Sequence, residues 1–330
     1  MQKKNFILSL VTLFLILSAA AILSVPAGST TRFMVYIPGG MVQIGDGSES
    51  SQYTASIRPF LIARYETTNK ELVSVYNRAI AWNLAEIKGT EVVVHPESGI
   101  RLQFPLIDTG IPGCRISARD GLLTVPQEYE NCPAVGVSWY GAAMYCNYLG
   151  RIEGFGEVYD TVDWIPVKKA KGYRLPQYEE WEWAARGGEK SKGYRYSGSD
   201  DPLEAGWFAE NSGGEAKPVG LKKPNELGLY DMSGNVHEFM TEVWSPLRTA
   251  TFNPDDSGLT SGGLLTAGRI WRGGAWNKQP VTVYFFRQNI NQPDYCLPYP
   301  DIGFRIIFTR PTPGMKISSF FRPEPVSRQK

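Results

Sequence analysis

The sequence predicts an α+β fold that is rich in loops and low in regular secondary structure. Glycine and proline, at 34 and 23 of 330 residues, occur along the whole chain and favour turns over long helices. Apolar residues make up 42% and aromatic residues 12% of the chain, which is enough for a hydrophobic core and excludes intrinsic disorder. Three segments have a helical pattern, whereas the strand-like runs are short.

An apolar segment begins the chain. Residues 6–23 contain only Ser and Thr besides apolar residues, follow Lys3 and Lys4, and precede the small residues Val25 and Ala27. This order predicts that residues 1–27 are a secretory signal peptide cleaved near Ala27. The alternative is an uncleaved N-terminal anchor, because about 20 apolar residues can cross a bilayer. The protein is therefore predicted to be exported (periplasmic, cell-surface or secreted), and to contact a membrane only if this segment is retained.

Residues 28–310 are predicted to form a single domain, since neither a linker nor a repeat interrupts them. Alternation and turn residues predict strands over 34–37, 41–44, 60–64, 133–139, 269–276, 281–287 and 303–308. Apolar residues at helical spacing predict helices over 69–80, 140–149 and 178–186, the first with Thr67 or Thr68 as its N-cap. Residues 89–131 have weak periodicity and are predicted to be an insertion, 193–256 to be loop, and 311–330 to be a mobile tail.

The charge balance excludes several classes of function. With 34 Lys and Arg against 33 Asp and Glu, the net charge is +1, and nucleic-acid binding needs a basic surplus. Two histidines argue against a multi-histidine zinc or iron centre. No nucleic-acid partner is therefore expected.

Four cysteines are present, and export would permit disulfides. Cys114 and Cys132 flank a Gly/Pro-rich stretch and are predicted to pair. The disulfide would close a loop of about 18 residues and stabilise the folded state by about 3 kcal/mol. Cys146 lies in a predicted helix and is as readily explained as a buried thiol. Cys296 has no evident partner, and connectivity does not follow from sequence alone.

A series of motifs follows in order between residues 36 and 305. They are YIPGG at 36–40, ETTN at 66–69, PAVGVSW at 133–139, AAMYCN at 142–147, YRLP at 173–176, EEWEWAARGG at 179–188, NELGLYDMSGNVHE at 225–238, RGGAW at 272–276 and GFR at 303–305. As an ordered set they resemble the formylglycine-generating enzyme (sulfatase-modifying factor) family. The resemblance implies a C-type-lectin-like fold.

The resemblance also implies a chemistry, the oxidation of a substrate cysteine to formylglycine by oxygen. In that family two cysteines that follow the RGGAW motif bind a copper ion, and Cu(I) prefers paired thiolates. Here those positions fall near Lys278 and Val283, and no cysteine occurs between Asn147 and Tyr295. Copper is therefore not expected, and we assign no catalytic residue.

The same resemblance implies a calcium site in the loop at 231–238. The implied ligands are the carboxylates of Asp231 and Glu238 and the backbone carbonyls of Gly234 and Val236. Hard oxygen donors on a tight turn suit Ca²⁺, although the two carboxylates could equally cap a turn. A second family site would lie near Asn211 and Ser212, where the following loop is short for the remaining ligands.

An aromatic-rich interval between the RGGAW and GFR motifs predicts a ligand-binding surface. Its candidate binding residues are Trp276, Tyr284, Tyr295 and Tyr299. Aromatic side chains suit protein, peptide or glycan contacts, although strand alternation would bury about half of them. The leading hypothesis is a calcium-stabilised ligand- or protein-binding module. The alternative is an oxidative enzyme of the same family, either of the siderophore-maturation type or a formylglycine-generating oxidase.

Overall fold

The computed structural model describes residues 34–44, 53–162, 164, 166–167, 170–243, 269–281 and 297–308. The predicted signal or anchor at 1–27, the tail at 311–330, most of the predicted strand at 281–287, and Tyr284, Tyr295 and Cys296 lie outside these ranges. Within them, no helix combines the length and the apolar character needed to cross a bilayer.

Fourteen short strands are described, and few exceed five residues. They are β1 Met34–Ile37, β2 Gly40–Ile44, β3 Tyr53–Ile57, β4 Phe60–Ala63, β5 Ala85–Lys88, β6 Glu91–Val94, β7 Ile107–Asp108, β8 Ser117–Arg119, β9 Leu122–Thr124, β10 Tyr173–Arg174, β11 His237–Val243, β12 Arg269–Arg272, β13 Ile302–Gly303 and β14 Ile307–Phe308. One sheet has the order β1-β4-β14-β10, and a second has the order β12-β11-β13. A third sheet, β5-β6-β7, and the ribbons β2-β3 and β8-β9 complete the set.

The helices begin where a side chain satisfies the first free backbone N–H groups. Helix α1 (Asn69–Ala81) starts at Thr68, whose Oγ1 accepts from the Glu71 backbone N–H at 3.3 Å while the Glu71 carboxylate accepts from the Thr68 N–H at 2.9 Å. Helix α2 (Trp139–Ile152) starts at Ser138, whose Oγ accepts from the Gly141 N–H at 2.9 Å. Helices α3 (Tyr178–Ala185) and α4 (Pro202–Ala205) are shorter.

Two hydrophobic clusters form the core. The larger surrounds α2, which is buried from Trp139 to Gly150, and includes Tyr145 in edge contact with Phe304 at 5.2 Å between ring centres. The smaller surrounds Trp181 of α3 and takes side chains from β2, β3 and β4. The three predicted helices are confirmed, and the loop-rich α+β class agrees with these short elements.

Several predicted elements are wrong. Residues 133–138 are not a strand: they make only isolated bridges at Pro133 and Val137, because Gly136 turns the chain with φ +73°. Residues 303–308 do not form one strand, since β13 and β14 belong to different sheets. The predicted loop at 193–256 contains α4 and β11. Strands β6 to β9 lie within residues 89–131, where no strand was predicted, and the interpretation of this segment as an insertion stays a prediction.

Candidate functional site

A cleft of about 380 Å³ lies beside the RGGAW motif. Its first wall is formed by Pro112, Gly113, Arg115, Cys132, Pro133 and Val135. Its second wall is formed by Gly214, Glu215, Ala216, Trp276 and Asn277, and Pro300 lines the cleft as well. Apolar surface from the indole, the three prolines and the valine therefore surrounds a few polar groups, which is the usual composition of a ligand site.

Charged side chains connect the two walls. The Glu215 carboxylate accepts from Arg115 Nη2 at 2.9 Å and from Lys217 Nζ at 2.9 Å. The Arg115 guanidinium also lies 4.4 Å from the ring centre of Tyr129. The bond from Lys217 is the largest influence on Glu215 and, with Arg115, holds the pKa of its carboxyl below the usual range. Two cations share one carboxylate here, and all three side chains remain partly exposed.

Trp276 is the predicted binding residue that the structure places in the cleft. Its indole Nε1 donates to the Pro300 carbonyl at 3.4 Å, and its backbone N–H donates to the Asn235 carbonyl at 2.7 Å. Tyr299 is half-buried against the larger core cluster, and its carbonyl accepts from the Gly136 N–H at 3.0 Å. Of the two, only Trp276 lines the cleft.

The predicted disulfide is not formed, because Cys114 and Cys132 are both free thiols in the structure. Cys132 lines the cleft, and burial followed by the nearby Glu215 carboxylate raises the pKa of its thiol. Cys114 is not a lining residue, although its neighbours Gly113 and Arg115 are; its sulfur lies beside Gly136, 3.3 Å from the position of an added Cβ.

The first position implied for a copper-binding cysteine is occupied by a paired cation. Lys278 Nζ lies 2.9 Å from the Asp301 carboxylate, and the Lys278 carbonyl accepts from the Ala209 N–H at 3.0 Å. The second position, Val283, lies outside the described residues. A lysine ammonium cannot replace a soft thiolate ligand.

A buried ion pair lies among carboxylates behind the cleft. Arg305 donates through Nε to Glu238 Oε2 at 2.7 Å and through Nη2 to Glu238 Oε1 at 2.6 Å. Trp181 Nε1 donates to the same Oε2 at 2.8 Å. Both members of the pair are fully buried, so Glu238 is neutralised by this internal cation.

Glu66 and Asn235 form a second buried contact that the sequence did not single out. Asn235 Nδ2 donates to Glu66 Oε2 at 2.6 Å, and the Val236 backbone N–H donates to Glu66 Oε1 at 3.1 Å. Burial is the main cause, followed by repulsion from Asp231 and Glu238, of the raised pKa of Glu66. Both residues belong to quoted motifs, which was the one available signal, but 169 positions separate them.

The ligands implied for calcium are only partly available. Asp231 Oδ2 accepts from the Gly220 N–H at 2.7 Å, whereas its buried Oδ1 has no hydrogen-bond partner. Burial is the main cause that raises the pKa of Asp231 to about 6, and a free buried oxygen would suit a cation. Glu238 does not fit, because Arg305 and Trp181 occupy its carboxylate. Across the described ranges no three acidic, His or Cys side chains converge as metal ligands, so calcium at this loop stays a prediction.

The side chains of Asn211 and Ser212, which the resemblance implies for the second calcium site, form hydrogen bonds with backbone groups. The Asn211 side chain accepts from the Phe208 N–H at 2.7 Å and donates to the Gly206 carbonyl at 3.0 Å. Ser212 Oγ donates to the Trp276 carbonyl at 2.8 Å and accepts from the Gly214 N–H at 3.1 Å. Ser212 thus joins the two segments of the second wall, and the second calcium site also stays a prediction.

Comparisons with known proteins agree with this description. Chaperone protein LppX of Paenibacillus barcinonensis is 29% identical over 80% of this chain and 87% of its own length. The formylglycine-generating enzyme of Thermomonospora curvata is 27% identical over 74% of this chain and 82% of its own length. Serine/threonine-protein kinase Pkn1 of Chlamydia trachomatis serovar L2 is 28% identical over 79% of this chain, which spans only 36% of that kinase.

A solved structure, Treponema denticola variable protein 1, superposes with a TM-score of 0.60 at 24% identity and covers 84% of this chain and 95% of its own. This likeness shows a shared fold and confirms the predicted fold class. The family model described as the sulfatase-modifying factor enzyme 1-like domain matches residues 20–310. The match covers well over half of the chain, and the protein therefore belongs to the formylglycine-generating enzyme (sulfatase-modifying factor) family.

Proposed function

We propose that the protein is an exported binding module of this family that holds an extended peptide segment of a partner protein in the cleft. The observation that supports this proposal most directly is the cleft itself, where the Trp276 indole and three prolines surround a space of about 380 Å³. Aromatic-lined grooves bind extended segments of the polyproline II type well, because such segments are already ordered and lose little conformational entropy on binding. A glycan is the other ligand class that such aromatic surface could hold.

The ligand chemistry argues against a copper oxidase. Lys278, at the first implied copper position, is paired with Asp301 at 2.9 Å, and among the described residues that line the cleft Cys132 is the one thiol. One thiolate does not hold Cu(I) well. The likeness to a protein named a chaperone supports a protein partner, since that relative is matched over most of its length.

An oxidative enzyme is the second candidate. It is favoured by Cys132, a thiol that lines the cleft beside the RGGAW motif. Incubation of the protein with copper and a Cys-X-Pro-X-Arg peptide separates the two proposals. We expect no aldehyde product. Turnover of the peptide would contradict the binding module and support the oxidase.

Peptide-array capture tests the binding proposal directly. Trp276 is half-buried and lines the cleft, and tryptophan side chains at an interface often carry much of its affinity. We therefore expect W276A to weaken capture by about tenfold or more. Trp82 supplies the matched control: it is an exposed tryptophan at the end of α1 and not a lining residue, so W82A should leave capture unchanged. Equal capture by W276A and the unmodified protein would remove the cleft as the binding surface.

A further inference from the structure

Backbone hydrogen bonds tie the segment that contains Glu66 to the first wall of the cleft. The Ala134 N–H donates to the Thr67 carbonyl at 2.9 Å, and the Asn69 N–H donates to the Cys132 carbonyl at 2.9 Å. Residues 66–69 therefore lie behind Cys132 and Pro133 and move with them. Glu66 is fully buried in this position.

Asn235 is tied in the same way to the second wall. Its Oδ1 accepts from the Lys217 N–H at 2.9 Å, and its Nδ2 donates to the Lys217 carbonyl at 3.2 Å. Its carbonyl accepts from the Trp276 N–H at 2.7 Å, and its own N–H donates to the Trp207 carbonyl at 2.8 Å. Asn235 is fully buried with φ +61°, a left-handed conformation that asparagine tolerates better than most residues. It thus holds both segments of the second wall.

The bond between Asn235 Nδ2 and Glu66 Oε2, at 2.6 Å, therefore joins the supports of the two walls. Two other contacts connect the segments that carry the walls. One is a backbone bond from the Val219 N–H to the Asn131 carbonyl at 2.9 Å, and the other is the Arg115–Glu215 ion pair, whose partly exposed side chains make its contribution weak. Of these contacts, only the Glu66–Asn235 bond is made by two fully buried side chains, so solvent does not weaken it.

We propose that Glu66 and Asn235 are the positioning residues that set the separation of the two walls and so keep the cleft in its binding geometry. The polarity of the pair fixes the asparagine amide: Nδ2 must face the Glu66 carboxylate, and Oδ1 must then face the Lys217 N–H. The role deepens the proposed binding function, but the wall spacing can be measured without any partner.

The reactivity of Cys132 reports that spacing. Its thiol lines the cleft at 5% exposure, so separation of the walls should speed its alkylation by iodoacetamide. Cys146 is fully buried within α2 and reacts only when the core opens, which makes it the internal control for global unfolding. Peptide mass spectrometry of the full chain gives both rates in one experiment.

Three variants test the bond by reversing its polarity. N235D places two carboxylates face to face, and we expect Cys132 to react about tenfold faster with little change at Cys146. E66Q leaves one acceptor oxygen, that of the glutamine, for two donors, Asn235 Nδ2 and the Val236 N–H. It should speed the alkylation of Cys132 less than N235D does. In N235D/E66Q the net charge is that of the unmodified protein, and a glutamine amide can donate to the new carboxylate while its oxygen accepts from the Val236 N–H. Cys132 reactivity should return to within about threefold of the original.

The inference is overturned if N235D leaves Cys132 unchanged, if Cys132 and Cys146 accelerate together, or if the double variant reacts as fast as N235D. Should N235D fail to fold, the comparison of E66Q with N235D/E66Q still tests the inference. Cys132 must then react more slowly in the double variant than in E66Q. Peptide capture is a separate readout: loss of capture by W276A bears on the proposed function, and thiol reactivity bears on the positioning pair.

Discussion

Glu238 and Arg305 form a bidentate ion pair in which both side chains are fully buried and the two N–O distances are 2.7 and 2.6 Å. The pair links the loop at 231–238, implied for calcium, to the GFR motif, 67 positions away in sequence. In this arrangement an internal guanidinium supplies the positive charge that the resemblance assigns to a metal ion at Glu238.

Loss of one member of this pair should be strongly destabilising. We expect E238Q to lower the free energy of unfolding by about 3 kcal/mol, because Arg305 would be left as a poorly compensated buried charge. Urea unfolding measures the change. The exposed pair Lys70–Glu130, at 2.7 Å, is the control, and K70M should cost less than about 1 kcal/mol. Equal effects of the two substitutions would contradict the assignment of Glu238 to Arg305.

Asp231 should make stability depend on pH in the direction opposite to that of a typical carboxylate. Its pKa is raised from 3.8 to about 6 in the folded protein, so the folded state binds the proton more tightly than the unfolded chain does. The stabilisation is fully present below about pH 4 and is lost as the pH rises through about 6. D231N, which cannot titrate, should lose this part of the dependence in urea unfolding between pH 4 and 7. Identical pH profiles of the two proteins would contradict the raised pKa.

Calcium at this loop is open to a thermal test. A bound ion stabilises only the folded state, so a chelator should lower the melting temperature and added Ca²⁺ should restore it. D231A should abolish that response, because Asp231 supplies the buried carboxylate oxygen without a partner. If neither the chelator nor added Ca²⁺ changes the melting temperature, the loop does not bind calcium and is only an ion-paired turn.

Gly136 lies beside the Asp108 backbone and Cys114 and should not tolerate a side chain. An added Cβ would lie 2.7 Å from the Asp108 carbonyl, and the residue has φ +73°. We expect G136A to cost about 3 kcal/mol, as steric conflict adds to backbone strain. G121A is the matched control, since Gly121 has φ +75° with no atom within 4 Å of an added Cβ, and it should cost about 1 kcal/mol. Similar melting temperatures of the two variants would show that the space at Gly136 is not restrictive.

The sequence predicted those parts of the fold whose signals are local. Helix α1 was predicted because Thr67 or Thr68 could cap it and its apolar residues repeat at helical spacing; the structure shows Thr68 as the N-cap and adds Glu71 to the capping box. Helix α2 was predicted for similar reasons, although it runs from Trp139 to Ile152 and so extends beyond both predicted ends. Trp276 was predicted as a binding residue because it lies in the aromatic-rich interval between the RGGAW and GFR motifs, and it does line the cleft.

Contacts between distant segments could not be predicted in this way. Glu66 and Asn235 carry no local signal of their pairing, and the same holds for Arg305 with Glu238. The predicted strand at 303–308 was wrong because Arg305 turns inward to Glu238, so that the residues on its two sides enter different sheets. The pairing of Cys114 with Cys132 was predicted from the Gly/Pro-rich stretch that they flank, whereas both are free thiols in the structure, and connectivity does not follow from sequence.

The position of β14 has a consequence for how the protein is made. This strand lies between β4 and β10 in its sheet, and β13, five residues before it, completes the other sheet beside β11. Neither sheet can close until residues near 308 have left the ribosome, so the nascent chain exposes unpaired strand edges for most of its synthesis. Truncation shortly before Ile302 should therefore yield a protease-sensitive polypeptide rather than a smaller stable domain.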